Sequence, residues 1–154
     1  MTAPTEQQTD RTPRWLTDPQ LWIIVAATIA VVLALRYLLP AGYASHITVS
    51  VTMLTSTILL YPVVEELLFR GFIQGELLRH KFCSQRHFFI SRANLMTSFL
   101  FALLHLVYQP PLWALAVIVP SLVMGHFRER YHSIVPAVAL HIYFNSAFVL
   151  AGVS

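Results

Sequence analysis

Glu65, Glu66 and Arg70 stand together inside an apolar stretch, residues 53–78 of a 154-residue chain. Each charge at the centre of a membrane helix costs about 2.5–3.5 kcal/mol on insertion scales. Such residues are kept where they face a protein interior and find partners there. Three more polar groups, His105, His141 and Asn145, interrupt later apolar runs. Each run offers an i,i+4 pair on one helix face: Glu66 before Arg70, Phe101 before His105, His141 before Asn145. Two carboxylates, two histidines and an amide, with no helix-borne serine partnered by a lysine, suit activation of water. Arg70 can pair with Glu66, which leaves Glu65 as the general base. His105 can position the water or protonate the leaving group, and His141 with Asn145 can donate hydrogen bonds to a developing oxyanion. The expected reaction is hydrolysis of a peptide bond in or beside a membrane. The same residues allow a metal reading, in which Glu65, His105 and His141 hold zinc with water in the fourth position; no H-E-x-x-H motif accompanies it.

These side chains need elements to carry them. The chain is 56% hydrophobic and 11% charged, where soluble domains carry about 25% charged residues, and its mean hydropathy is +0.64. So few charges cannot cover a soluble surface. The expected fold is all-α, a polytopic membrane helix bundle with about five transmembrane spans at residues 21–39, 47–78, 93–107, 112–127 and 134–153. Residues 1–20, with three prolines, read as a flexible cytoplasmic tail, and residues 21–154 as a single membrane domain. The first run is too long, and the leader too weakly basic, for a cleaved signal peptide. Pro40-Ala41-Gly42 should end that run. Pro62 should kink its helix one turn before the glutamates. Residues 82–90, with Phe82, Phe88 and Phe89, read as a short amphipathic piece at headgroup level, and residues 128–132 as a polar loop. Gly71 and Gly75 should let helices approach closely.

The net charge of +3 does not mark a nucleic-acid binder, because the basic residues fall in short loops between apolar runs. One cysteine, Cys83, excludes a disulfide framework and a zinc-finger spacing. Of the ten basic residues, all but Arg36 lie on one side or in the second span running towards it, so the N-terminus is expected in the cytoplasm and the C-terminus outside. The basic residues also serve as depth markers. Glu65 lies 14 residues before Arg79, His105 13 after Arg92, and His141 11 after Arg130. At a rise of 1.5 Å per residue these are separations of about 21, 20 and 17 Å, so all three should lie at similar depth.

At these residues the chain resembles the CPBP family, the CAAX prenyl endopeptidases and bacteriocin-processing relatives also called the ABI family of intramembrane proteases. The first motif of that family, E-E-x-x-x-R, is matched at Glu65, Glu66 and Arg70; the second, F-x-x-x-H, at Phe101 and His105; the last, H-x-x-x-N, at His141 and Asn145. The resemblance implies that Glu65 activates water, Glu66 and Arg70 support it, His105 is a catalytic partner, and His141 with Asn145 stabilise the oxyanion. It implies a glutamate-dependent endopeptidase with no required cofactor; zinc is the alternative. The expected partners are the lipid bilayer and a membrane protein or peptide substrate, including one with a C-terminal sorting or anchor segment, and the expected location is the bacterial inner membrane. The chain departs from the family in its length, with about five spans where the eukaryotic enzymes have eight, and in having His132 where glycine is frequent. A non-enzymatic bacteriocin-immunity or scaffold protein, or a small proton-relay component, would use the same polar residues without cleavage.

Overall fold

The computed structural model describes residues 13–38 and 50–151. Expectations for residues 1–12 of the tail, for the Pro40-Ala41-Gly42 stop, for the run between residues 47 and 49, and for residues 152–153 lie outside the described residues. The rest is nearly all helix. Arg14–Thr17 forms a 3-10 turn, so the end of the expected flexible tail is folded. Helix α1, Pro19–Leu38, follows at once. Asp18 caps it, its Oδ1 accepting from the Gln20 N–H at 2.9 Å, and Pro19 occupies the first helical position, where its missing N–H is harmless.

Residues 51–79 form one continuous helical rod with two wider segments: α2 (Val51–Thr55), a π-helical turn (Ser56–Leu60), α3 (Tyr61–Glu66), a second π segment (Leu67–Ile73) and α4 (Gln74–Arg79). The kink expected at Pro62 takes the form of this π winding. A proline cannot donate to the carbonyl four residues back, and π turns are one way a helix absorbs that loss. The winding also has a packing consequence. Pro62, Glu66, Arg70 and Gln74 are all buried, at every fourth position. An ordinary α-helix would rotate the last of these about 120° away from the first; wider turns keep all four on one face.

A tight antiparallel hairpin follows, β1 (Arg86–His87) and β2 (Ile90–Ser91), with Arg86 opposite Ser91. Phe88 turns the chain in the left-handed region at φ +55°, so residues 82–90 do not form the expected amphipathic piece. Ser91 caps α5 (Arg92–His105), its hydroxyl accepting from the Asn94 N–H at 2.9 Å. Helices α6 (Pro111–Ala116) and α7 (Ile118–Tyr131) are separated only at Val117. The expected polar loop at 128–132 is instead the last turn of α7, which stops at His132 with φ +50°. That is the left-handed position after a helix where glycine is favoured. Helix α8, Val135–Ala151, completes the bundle.

Two helices among the described residues are long and apolar enough to cross a membrane, Pro19–Leu38 and Pro111–Tyr131; the apolar part of α8, Val135–Leu150, is shorter. The expected five spans are therefore not all met by length and composition. Leu21 of α1, Met124 and Phe127 of α7, and Ala137, Leu140 and Phe144 of α8 form the apolar core. The close approach between helices occurs at Gly125, where a Cβ would stand 1.9 Å from Asn94 Oδ1. Gly71 and Gly75 do not play the expected role, since a Cβ there meets only ordinary contacts at 3.8 and 3.5 Å.

Candidate active site

Both oxygens of Glu66 are engaged. Its Oε1 accepts from His141 Nδ1 at 2.9 Å, and its Oε2 lies 3.3 Å from Arg70 Nε. Both side chains of the Glu66–Arg70 pair are 0% exposed. The arginine reaches on to α7, where its Nη2 donates to the Ser121 carbonyl at 2.8 Å and to Ser121 Oγ at 2.7 Å. Its guanidinium carbon lies 5.0 Å from the centroid of the Phe101 ring. Ser121 and His141 meet part of the pair's hydrogen-bonding capacity, while Glu66 Oε2, Arg70 Nε and Arg70 Nη1 are buried with no hydrogen-bond partner beyond the ion-pair contact itself, so the pair is held at a cost in stability.

Glu65 has a different setting. Its side chain is 27% exposed and lines a cavity of about 760 Å³ that also contains His105, His141 and Asn145. His141 joins the two carboxylates: Nδ1 is held by Glu66, and Nε2 lies 3.5 Å from Glu65 Oε2. His105 Nδ1 is 2.9 Å from the Phe101 carbonyl. A carbonyl only accepts, so Nδ1 carries the proton and Nε2 is the ring nitrogen left to act. The Phe101 ring lies between the two histidines, 4.4 Å from His105 and 5.8 Å from His141 by centroids, with Phe69 edge-on at 4.9 Å.

Asn145 owes its place to Pro62. In the π segment the Tyr61 N–H bonds to the Ser56 carbonyl, so the next donor in that register would be the N–H of residue 62, which proline lacks. The Thr57 carbonyl is left over, and Asn145 Nδ2 donates to it at 2.9 Å. One amide N–H and the amide oxygen of Asn145 remain. The structure thus brings together all the residues singled out from the motifs.

Several partners are not apparent from those motifs. Ser121, Gly125 and Glu129 recur at every fourth position on α7, facing Arg70 and Gln74. Gln74 Nε2 donates to Glu129 Oε1 at 2.7 Å and to the Gly125 carbonyl at 3.2 Å. Glu129 also accepts from the Ser91 hydroxyl and, at 2.9 Å, from Arg86 Nη2. Asn94 Nδ2 donates to the Leu122 carbonyl at 2.9 Å. The four-residue spacing was the available signal. The charges of residues 128–130 hid it by resembling a loop.

Among the described residues no three of His, Cys, Asp and Glu converge as metal ligands. Glu65, His105 and His141 share the cavity; Nδ1 of each histidine is engaged, by Phe101 or Glu66, which leaves each Nε2 as the nitrogen that a ligand would meet.

Glu65, His105, His141 and Asn145 thus share one cavity within a helical bundle. A protein-family model described as type II CAAX prenyl endopeptidase Rce1-like matches residues 47–147, and the chain belongs to that family. The match begins after α1 and includes every site residue discussed above. No curated protein and no solved structure matches the chain. Family membership makes this a protease of the CAAX type that acts in the membrane on a membrane-associated protein.

Proposed function

We propose that the chain is a glutamic-type intramembrane endopeptidase in which Glu65 is the general base. The observation that carries this reading is the contrast between adjacent carboxylates: Glu66 is held by Arg70 and His141, while Glu65 opens into the cavity. Water bound between Glu65 and His105 Nε2 gives its proton to Glu65 and attacks the scissile carbonyl. The oxyanion forms against the remaining N–H of Asn145 and the Nε2–H that His141 presents in its imidazolium form, with its Nδ1–H on Glu66. The proton then passes to the leaving amine, and the tetrahedral intermediate collapses to acid and amine. His141 is oriented by Glu66, Glu66 by Arg70, and Arg70 by Ser121.

No metal takes part in this scheme. Dialysis against a chelator should leave cleavage unchanged; loss of cleavage restored by zinc would favour the Glu65, His105 and His141 ligand set. Trp113, Val117 and Phe148 make much of the cavity wall apolar, which favours apolar residues beside the scissile bond. A C-terminal sorting or anchor segment of a membrane protein fits this chemistry. The proposal places the enzyme in a bacterial inner membrane as a five-span bundle with the N-terminus in the cytoplasm. The Asp18–Arg130 and Arg86–Glu129 pairs support that orientation, because they draw the start of α1, the hairpin and the end of α7 to one basic end. The test is Glu65→Gln co-expressed with a membrane-anchored substrate. Cleavage should fall by about 10²–10⁴-fold, and undiminished cleavage by the correctly inserted variant would overturn the assignment.

A further inference from the structure

The cavity has a direction. On the 51–79 rod its lining residues are Thr57, Tyr61 and Glu65, which run from the site towards the N-terminal end of the rod. Beyond Glu65 in the other direction the same face is closed by Phe69, 3% exposed, and the adjoining face by Glu66, Arg70 and Gln74, each 0% exposed. On α8 the lining runs from His141 through Asn145 to Val149, towards the C-terminal end. On the Pro111–Tyr131 helix it runs from Trp113 to Pro120 and stops short of Ser121, which is buried against Arg70. Helix α5 contributes its last residue, His105, and the turn after it, at Tyr108 and Gln109. These four walls alternate in chain direction, so all of them extend from the site towards the same end of the bundle. There Tyr61, Tyr108 and Gln109 are exposed.

The other end is sealed. Arg70 on Ser121, then Gln74 on Gly125 and Glu129, then Glu129 on Ser91 and Arg86, form successive polar rungs between the rod and α7. Beyond them lie Arg79, Lys81, Arg92 and Arg130. By the bias of basic residues to the cytoplasmic side, the sealed end faces the cytoplasm.

We infer that the catalytic cavity opens to the non-cytoplasmic side, and that its substrate is a protein segment already translocated to that side, such as the outer flank of a membrane anchor. This rests on the protease reading above. It adds a side of access to it: a cytoplasmic segment would meet the polar rungs before reaching Glu65, whereas an outer segment meets the open walls directly.

The test uses the full chain in intact cells, on a Cys83→Ser background that removes its single, buried thiol. Tyr61→Cys and Gln109→Cys report the mouth, and His80→Cys reports the opposite end. A membrane-impermeant maleimide should label the two mouth cysteines in intact cells and His80→Cys only after lysis. Cleavage by Tyr61→Cys, compared before and after labelling, should drop by about tenfold or more once a bulky adduct fills the cavity. Mouth cysteines that label only after lysis, or stay protected even then, overturn the inference, as does unchanged cleavage after full labelling of Tyr61→Cys. Labelling needs no activity, so the two readings fail separately. Outer labelling with a fully active Glu65→Gln sinks the assignment of Glu65 as general base alone, and an inactive Glu65→Gln with inner labelling sinks the side of access alone.

Discussion

Glu65 and Glu66 are neighbours in the chain and belong to different halves of the bundle. Glu66 looks into the sealed half, where every charge has a named partner: Arg70, His141, and through Arg70 the carbonyl and hydroxyl of Ser121. Glu65 looks into the open half, where the side chains share a cavity and hydrogen-bonding capacity is left over. His105 Nε2 and one N–H of Asn145 are examples. On the proposed mechanism the same side chain therefore serves structure at one position and chemistry at the next. A group that must act on water cannot also be saturated, and a buried charge left unsaturated is costly. His141 belongs to both halves, with one nitrogen on each carboxylate.

That division can be broken or sharpened by experiment, starting with the largest effect. Glu65→Gln should lower cleavage by about 10²–10⁴-fold while its unfolding in detergent stays at the wild-type midpoint. Glu66→Gln should do the reverse in kind. It leaves Arg70 buried beside a neutral amide, and the chain should lose about 3–5 kcal/mol of stability, read from denaturant unfolding. If the two variants unfold alike, the halves are not distinct.

Gly125→Ala probes the seal without touching a charge. The new Cβ would drive into the Asn94 side chain, and over-packing of this kind costs about 1–3 kcal/mol. The double variant Gly125→Ala with Asn94→Ala should recover part of that loss, and additivity of the two single changes would remove the contact from the account.

The clasp between the start of α1 and the end of α7 should give a smaller, pH-dependent effect. The Tyr131 hydroxyl donates to Asp18, and with help from the Gln20 N–H and Arg130 it holds the Asp18 carboxyl below its ordinary value of 3.8, against the opposing effect of burial. A lowered folded-state value stabilises fully above the ordinary value, and the contribution is lost as pH falls through the folded value. Asn caps a helix as well as Asp does, so Asp18→Asn should cost only the charge interactions, at most about 1 kcal/mol near neutrality because Arg130 is half-exposed. The difference from wild type should vanish in strong acid; a difference that persists there would assign the effect to packing. His132→Gly should raise stability by about 1 kcal/mol or slightly more, by relieving a left-handed residue that carries a Cβ, with cleavage unchanged.

Much of the site was legible because its rules are local. Glu66 and Arg70 meet because residues four apart share a helix face, and the observed ion pair follows directly. The depth comparison held for Glu65 and His141, which come within 3.5 Å, because helical rise is nearly constant. The misreadings share a cause. Residues 128–130 look like a loop when charge alone is counted, yet Glu129 is buried on Gln74, Ser91 and Arg86. Residues 82–90 look amphipathic in one dimension, yet Phe88 folds them into a hairpin. Gly71 and Gly75 were candidates for close packing from composition, and the contact fell at Gly125.

By itself, then, the sequence determined that polar residues sit in apolar helices, that Glu66 pairs with Arg70, and that Glu65 is the carboxylate left over. These follow from helix periodicity and from the cost of charge in lipid, both of which act along a single chain segment. Only the tertiary structure decided that Ser121 completes Arg70, that Asn145 answers the carbonyl orphaned by Pro62, and that the cavity extends from Glu65 towards one end alone. Each of these depends on which helix faces which, and at what register, because hydrogen-bond partners and burial are properties of the interface between helices.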